Sequence, residues 1–224
     1  VLQRLNQGLV VNLVAAGGNI TVNENIVSNA NAGSLQLRAT GNIELNRNID
    51  LNGATSSFEA RANGDVFVAG GASNNYRTIH TNNGNLVLWA NSNNNNQGVV
   101  LVPNFVELRS FGGDIYLAGG AATTVGGREV PGGTAFGYSA TYPNGIDLGT
   151  SASRDQVRIF SSGGDVVVRG ATNQGSGNGL RAWAGLNLQS GAGQIELVGN
   201  AFGASSPRGM IINEGGGSAM GSFI

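Results

Sequence analysis

Hydrophobic residues fall along this chain in short alternating triplets, most of them introduced by the same pair of turn residues. The phrase is Gly, then Asn or Asp, then apolar-x-apolar. It reads Gly18-Asn19-Ile20-Thr21-Val22, Gly41-Asn42-Ile43-Glu44-Leu45 and Gly64-Asp65-Val66-Phe67-Val68. It continues as Gly84-Asn85-Leu86-Val87-Leu88, Gly113-Asp114-Ile115-Tyr116-Leu117 and Gly164-Asp165-Val166-Val167-Val168, with looser copies at Asn144 and Gly193. Its first apolar position recurs in steps of 23, 23, 20, 29, 31, 20 and 29 residues. A second triplet lies just upstream, as in Leu35-Gln36-Leu37, Phe58-Glu59-Ala60, Val106-Glu107-Leu108, Val157-Arg158-Ile159 and Leu186-Asn187-Leu188. Ile49-Asp50-Leu51 supplies a third. Alternation with period two predicts short strands, about three per repeat, each turning one face inward.

Gly interrupts every window long enough for a helix, so negligible helix is expected. Five Asn-Gly pairs, at Asn52, Asn63, Asn83, Asn144 and Asn178, would suit hairpins of an antiparallel sandwich. The constant phase of the repeat favours instead an all-β, single-stranded parallel β-helix, in which like residues stack on like. At about 25 residues per coil this predicts roughly nine coils of 20–31 residues and a rod on the order of 40–45 Å long. The solenoid is expected to fill residues 1–212 as one domain, with loops inserted at 118–144 and 170–182 and a Gly-rich tail at 213–224. Gly and Asn tolerate left-handed backbone and fill the corners. Asn19, Asn42 and Asn85 are expected to stack there as side-chain ladders.

The stretches Gly18-Asn19-Ile20-Thr21-Val22-Asn23-Glu24-Asn25-Ile26 and Gly41-Asn42-Ile43-Glu44-Leu45-Asn46-Arg47-Asn48-Ile49-Asp50-Leu51 resemble the repeats of filamentous-haemagglutinin-like exoproteins of the two-partner secretion type. The resemblance is clearest from residue 17 to about 70 and reduces to the bare repeat rule beyond. It implies a right-handed β-helical rod outside the bacterial cell, used for adhesion or as a surface fibre.

Composition narrows the alternatives. Of 224 residues 38 are Gly but only 4 are Pro, with no Gly-X-Y period, which excludes collagen. The absence of Cys removes disulfides, thiolate metal sites and cysteine nucleophiles. A net charge of −1, from 12 Arg and no Lys against 13 acids, gives no electrostatic drive toward nucleic acid. No apolar run is long enough to span a bilayer. Val1 reads as a processed or cut end.

Catalytic patterns are sparse, and no enzyme activity, cofactor or metal is expected. His80 is the one histidine, no G-x-S-x-G elbow accompanies it, and alternation puts it on the outer face as a surface residue. Without Lys there is no Walker-type phosphate loop. Parallel β-helices also serve as polysaccharide lyases and hydrolases, so carboxylate pairs matter. Asp147 with Asp155, or Asp114 with Asp165, would meet on one face of stacked coils, although Asp65, Asp114 and Asp165 read more simply as turn caps.

Contacts are the more promising place to look. Arg38, Arg61 and Arg109 each follow an apolar-x-apolar strand and are expected to share a face, paired with Glu59 and Glu107 or offered to acidic glycans. Arg128, Phe136, Tyr138 and Tyr142 sit in the 118–144 insertion, and Trp183 follows the 170–182 one. These residues either meet a ligand or another subunit, or fold back over the solenoid. No amphipathic capping helix is apparent, and the chain ends in Phe223-Ile224, apolar residues suited to docking on another copy. The reading is an extracellular structural or adhesive rod, a stalk or filament-forming subunit of the cell surface. Its expected partners are a homo-oligomer or end-to-end polymer and a glycan or neighbouring cell surface. The alternatives are a polysaccharide-active β-helix enzyme and a virus tail fibre or spike.

Overall fold

A computed structural model describes residues 1–150, 157–183, 185–203, 207–214 and 222–223. The first coil comprises β1 (Val11–Ala15), β2 (Ile20–Val22) and β3 (Ile26–Val27), preceded by the one-turn helix α1 (Leu2–Leu5). Coil two holds β4 (Leu35–Ala39), β5 (Ile43–Leu45) and β6 (Ile49–Asp50); coil three holds β7 (Ser56–Ala62), β8 (Val66–Val68) and β9 (Arg77–His80). Coil four holds β10 (Asn83–Ala90), β11 (Val100–Val102) and β12 (Val106–Arg109). Coil five is the elaborate one, with β13 (Ile115–Val125), β14 (Arg128–Gly133), β15 (Ala135–Gly137), β16 (Ile146–Leu148) and β17 (Val157–Phe160). Coil six holds β18 (Val166–Thr172), β19 (Asn178–Trp183) and β20 (Leu186–Gln189); coil seven holds β21 (Ile195–Ala201), β22 (Arg208–Glu214) and β23 (Ser222–Phe223).

The chain visits three parallel sheets in the same order each turn. Sheet A stacks β1-β4-β7-β10-β13-β18-β21, sheet B stacks β2-β5-β8-β11-β16-β19-β22, and sheet C stacks β3-β6-β9-β12-β17-β20-β23. This is a parallel β-helix. Registers put like on like: Leu35 lies on Phe58, Phe58 on Leu86, Leu86 on Ile115 and Ile115 on Val166. Inward residues of all three sheets join one buried cluster, including Leu37, Ile43, Ile49, Leu88, Leu108 and Ile159. Burying each such side chain contributes roughly 1.5–3 kcal/mol.

The described coils number seven, not nine, because the insertions lengthen coil five well beyond the expected roughly 25 residues and the turn phrase marks that coil twice, at two different corners. In coils one to three it leads into sheet B, before Ile20, Ile43 and Val66; from Gly84 it leads into sheet A, before Leu86, Ile115, Val166 and Ile195, except that the looser copy at Asn144 returns to sheet B before Ile146. The 20-residue step from Val66 to Leu86 therefore runs from corner to corner, and the true partner of Val66 is Val100. Both corners solve the same problem. The side-chain oxygen of each Asn or Asp accepts the backbone N–H of its equivalent one coil on: Asn19 to Asn42 at 2.8 Å, Asn42 to Asp65 at 2.9 Å, Asn85 to Asp114 at 3.1 Å and Asp114 to Asp165 at 2.9 Å. Asn19 and Asn42 thus share one ladder, and Asn85 begins another.

The corner between sheets C and A carries a further rule, Ser/Thr-x-x-Gly. The hydroxyls of Thr81, Ser110, Ser161 and Ser190 donate to the carbonyls of Gly84, Gly113, Gly164 and Gly193. A Cβ on Gly164 would overlap the Gly113 carbonyl, so the coil spacing itself demands glycine.

Two inserted segments differ from loops. Residues 115–133 form a hairpin in which β13 pairs antiparallel with β14, turned by Gly126 and Gly127 at φ 57° and 78°, the type I′ requirement. Within 170–182, the strands β18 and β19 leave only residues 173–177 as a connection. At the first coil α1 places Leu5 in the main core, and Leu5 O accepts from Gly33 N–H at 2.9 Å. A single helical turn thus partly covers the end where no capping helix was expected. Among the described residues no helix is long and apolar enough to cross a membrane.

Candidate functional site

The outer face of sheet A changes character along the rod. One outward column runs Asn12, Gln36, Glu59, Val87, Tyr116, Val167, Glu196; its neighbour runs Val14, Arg38, Arg61, Trp89, Ala118. Polar residues in coils two and three thus give way to apolar ones in coils four to six. The hairpin exists to cover the latter: Val130 of β14 closes a second buried cluster with Val87, Trp89, Tyr116 and Val167. Trp89 is fully buried, and its Nε1–H donates to Gly120 O at 2.8 Å. The run Leu86-Val87-Leu88-Trp89 was the available signal, since an unbroken apolar strand is buried on both faces.

Where the hairpin tip overhangs the polar coils, a cleft of about 490 Å³ opens. Its walls include Gln36, Arg38, Glu59, Asn85, Arg128 and Glu129. Arg61 Nη1 donates to Glu129 Oε2 at 2.9 Å, which latches the tip, and its guanidinium lies 4.1 Å from the Trp89 ring centre. Arg38 Nε stands 3.2 Å from Glu59 Oε1, yet neither atom makes an aligned hydrogen bond. Burial pushes the Glu59 carboxyl up from its ordinary value, with Arg38 and Arg61 pulling against it. Two carboxyls, Glu59 and Glu129, therefore share one groove, a pair different from those weighed in the sequence.

Those other pairs have structural partners. Asp165 N–H donates to Asp114 Oδ1 as a corner cap, and Asp147 receives Arg181 Nε–H at 2.9 Å within a two-pronged ion pair. Asp155 lies outside the described residues.

Arg38 and Arg61 are register partners in β4 and β7, but Arg109 stands in β12 of sheet C, so the three do not share a face. Arg109 instead lies 4.9 Å from the Phe160 ring centre and 5.1 Å from that of Phe111, and its Nε is 3.4 Å from Glu107 Oε1. His80 is on the outer face as expected but half-buried, with Nδ1 3.2 Å from Asp50 Oδ1 and Nε2 3.1 Å from Glu107 Oε1. The hydrogen bond from His80, with Arg109 and Arg158 nearby, holds the Glu107 carboxyl below its usual value against the opposing effect of burial.

The insertion aromatics fold back on the solenoid. Phe136 is buried in β15 and stacks on Phe202 with ring centres 6.5 Å apart. Tyr138 donates its hydroxyl to Asp65 Oδ2 at 3.0 Å, and burial, followed by the Asp65 charge, pushes its pKa up to about 12. Tyr142 lies 5.3 Å from Phe67 on sheet B. Trp183 sits with the Arg181 guanidinium 5.1 Å from its ring. Arg128 is exposed at the hairpin tip and lines the cleft. Phe223 belongs to β23, whereas Ile224 lies outside the described residues. Among the described residues no group of three His, Asp or Glu is arranged to hold a metal. Set against protein-family models, curated proteins and solved structures, the chain matches none of them.

Proposed function

We propose that this chain is a structural β-solenoid of an extracellular surface, a stalk or filament-forming unit that acts by contact. One observation carries this reading: among the described residues the stacked columns are only partly covered at the first coil and stay exposed at the last. In coil one Val11, Leu13, Ile20 and Ile26 point inward yet are only half-buried, and Leu9, Val10, Val14 and Val27 are exposed. In coil seven Met210 and Ile212 continue the core positions of Leu180 and Ala182 but remain exposed. Val11 N–H bonds back to Ser34, so the alternate amides of Asn12 and Val14 face outward along a free edge. Such an edge pairs with another coil, from a second copy or from further residues of a longer protein. The low charge and the absence of Lys, a common edge blocker, suit such pairing.

Electron microscopy and sedimentation velocity across a concentration range test it. End-to-end rods or filaments that disappear in Val10→Lys/Val14→Lys, with the thermal midpoint unchanged, are expected. A chain that stays monomeric at every concentration, with or without the lysines, would defeat the self-association part of the proposal.

A further inference from the structure

The cleft beneath the hairpin tip is a built concavity rather than a gap in packing. Its floor is the outer face of coils two to four and its overhang is β14, itself fixed by the Trp89 cluster and the Arg61–Glu129 pair. Of the cleft's cations Arg38 is matched by Glu59, and the neighbouring Arg61, behind the wall, is matched by Glu129. Among the described residues no acid is ion-paired with Arg128, which faces the same space. Around it stand groups with unused hydrogen-bonding capacity. Asn85 spends its Oδ1 on Asp114 N–H and keeps its amide N–H groups, and among the described residues the Gln36 amide makes no bond. The Arg38–Glu59 contact leaves both atoms without an aligned bond. Such a site offers one unmatched guanidinium fork, which fits a planar carboxylate. The flanking amide, hydroxyl and carboxyl groups donate and accept as a polyol requires.

We propose that this cleft binds an acidic saccharide of the uronate type, with Arg128 on the sugar carboxylate and Gln36, Asn85 and Glu59 on its hydroxyls. The site lies on the side of the rod, with Val10 of the first-coil edge on its rim.

Titrating the full chain with a trigalacturonate, followed by calorimetry and amide chemical shifts, tests the proposal against maltotriose as the neutral trimer and a short poly-aspartate peptide. Saturable binding of the uronate alone is expected, with shifts in β4, β7 and β14. Arg128→Gln, an exposed position that leaves the fold intact, should weaken binding about tenfold or more, as loss of a charge-assisted bond implies. Asn85→Ala should weaken it less, and Arg208→Gln, outside the cleft, should not change it. Equal affinity for maltotriose, tighter binding of the peptide, or no binding to the wild-type chain would each overturn the proposal. New reducing ends during the titration would uphold the cleft while overturning the view that the chain acts without turnover.

Discussion

Replacing Trp89 with Ala separates the hairpin from the rod. The indole is fully buried, so its removal costs about 3–5 kcal/mol in lost packing. Loss of the Nε1–H bond to Gly120 adds roughly 0.5–1.5 kcal/mol, and the Arg61 stacking contact adds about 0.5–1 kcal/mol. These contributions overlap, which puts the total near 4–6 kcal/mol. Trp89 points away from the main core, whose neighbouring side chains Leu86 and Leu88 belong to the opposite face of β10. The loss therefore falls on the hairpin, and a two-stranded hairpin is marginal without its packing. Hydrogen exchange of residues 121–125 and 128–130 should accelerate at least about a hundredfold, while amides of β7 and β11 keep their protection. The Arg61–Glu129 latch and the cleft should be lost together. A uniform fall in protection across all three sheets, or unchanged exchange in the hairpin, would refute the claim that the hairpin is a separately held cover.

Other expectations follow from the corners and the charges. Gly164→Ala forces a Cβ into the Gly113 carbonyl and should destabilise by about 1–3 kcal/mol or more in urea melts, whereas Gly127→Ala at the open hairpin tip should cost less. Ser161→Ala leaves the buried Gly164 carbonyl without its donor and should lower stability by about 1–3 kcal/mol. Glu107 has its folded pKa depressed, so its contribution is present above pH 4.5 and is lost as pH falls through the folded value; Glu107→Gln should lower the melting temperature at neutral pH, with the gap closing in acid. Glu59 is raised, so its contribution holds below pH 4.5 and is lost as pH rises through the folded value; Glu59→Gln should be tolerated better at neutral pH than in acid. Paired melts from pH 3 to 8 compare the two slopes.

The parallel solenoid was legible in the residues alone, for a physical reason: a β-helix repeats its environment every coil, so periodicity records the tertiary neighbours directly. Inward columns such as Leu35 on Phe58 and Ile43 on Val66, and the amide ladder from Asn19 to Asn42, needed only the pattern. What the pattern did not carry was which corner a given Gly-Asn belongs to. Both corners impose the same demand for a small residue followed by a side-chain acceptor, so coil five was marked twice, at Ile115 in sheet A and at Ile146 in sheet B, and its insertions make it far longer than the roughly 25 residues assumed per coil. The cleft was also out of reach. Glu59 and Glu129 are 70 positions apart, and Arg61 meets Glu129 only because the Gly126-Gly127 turn sends the chain back across two coils. Local alternation determines what a strand turns inward and what it turns out. The company kept by the outward side chains depends on insertions that leave one coil and return over another, and the tertiary structure alone decided that.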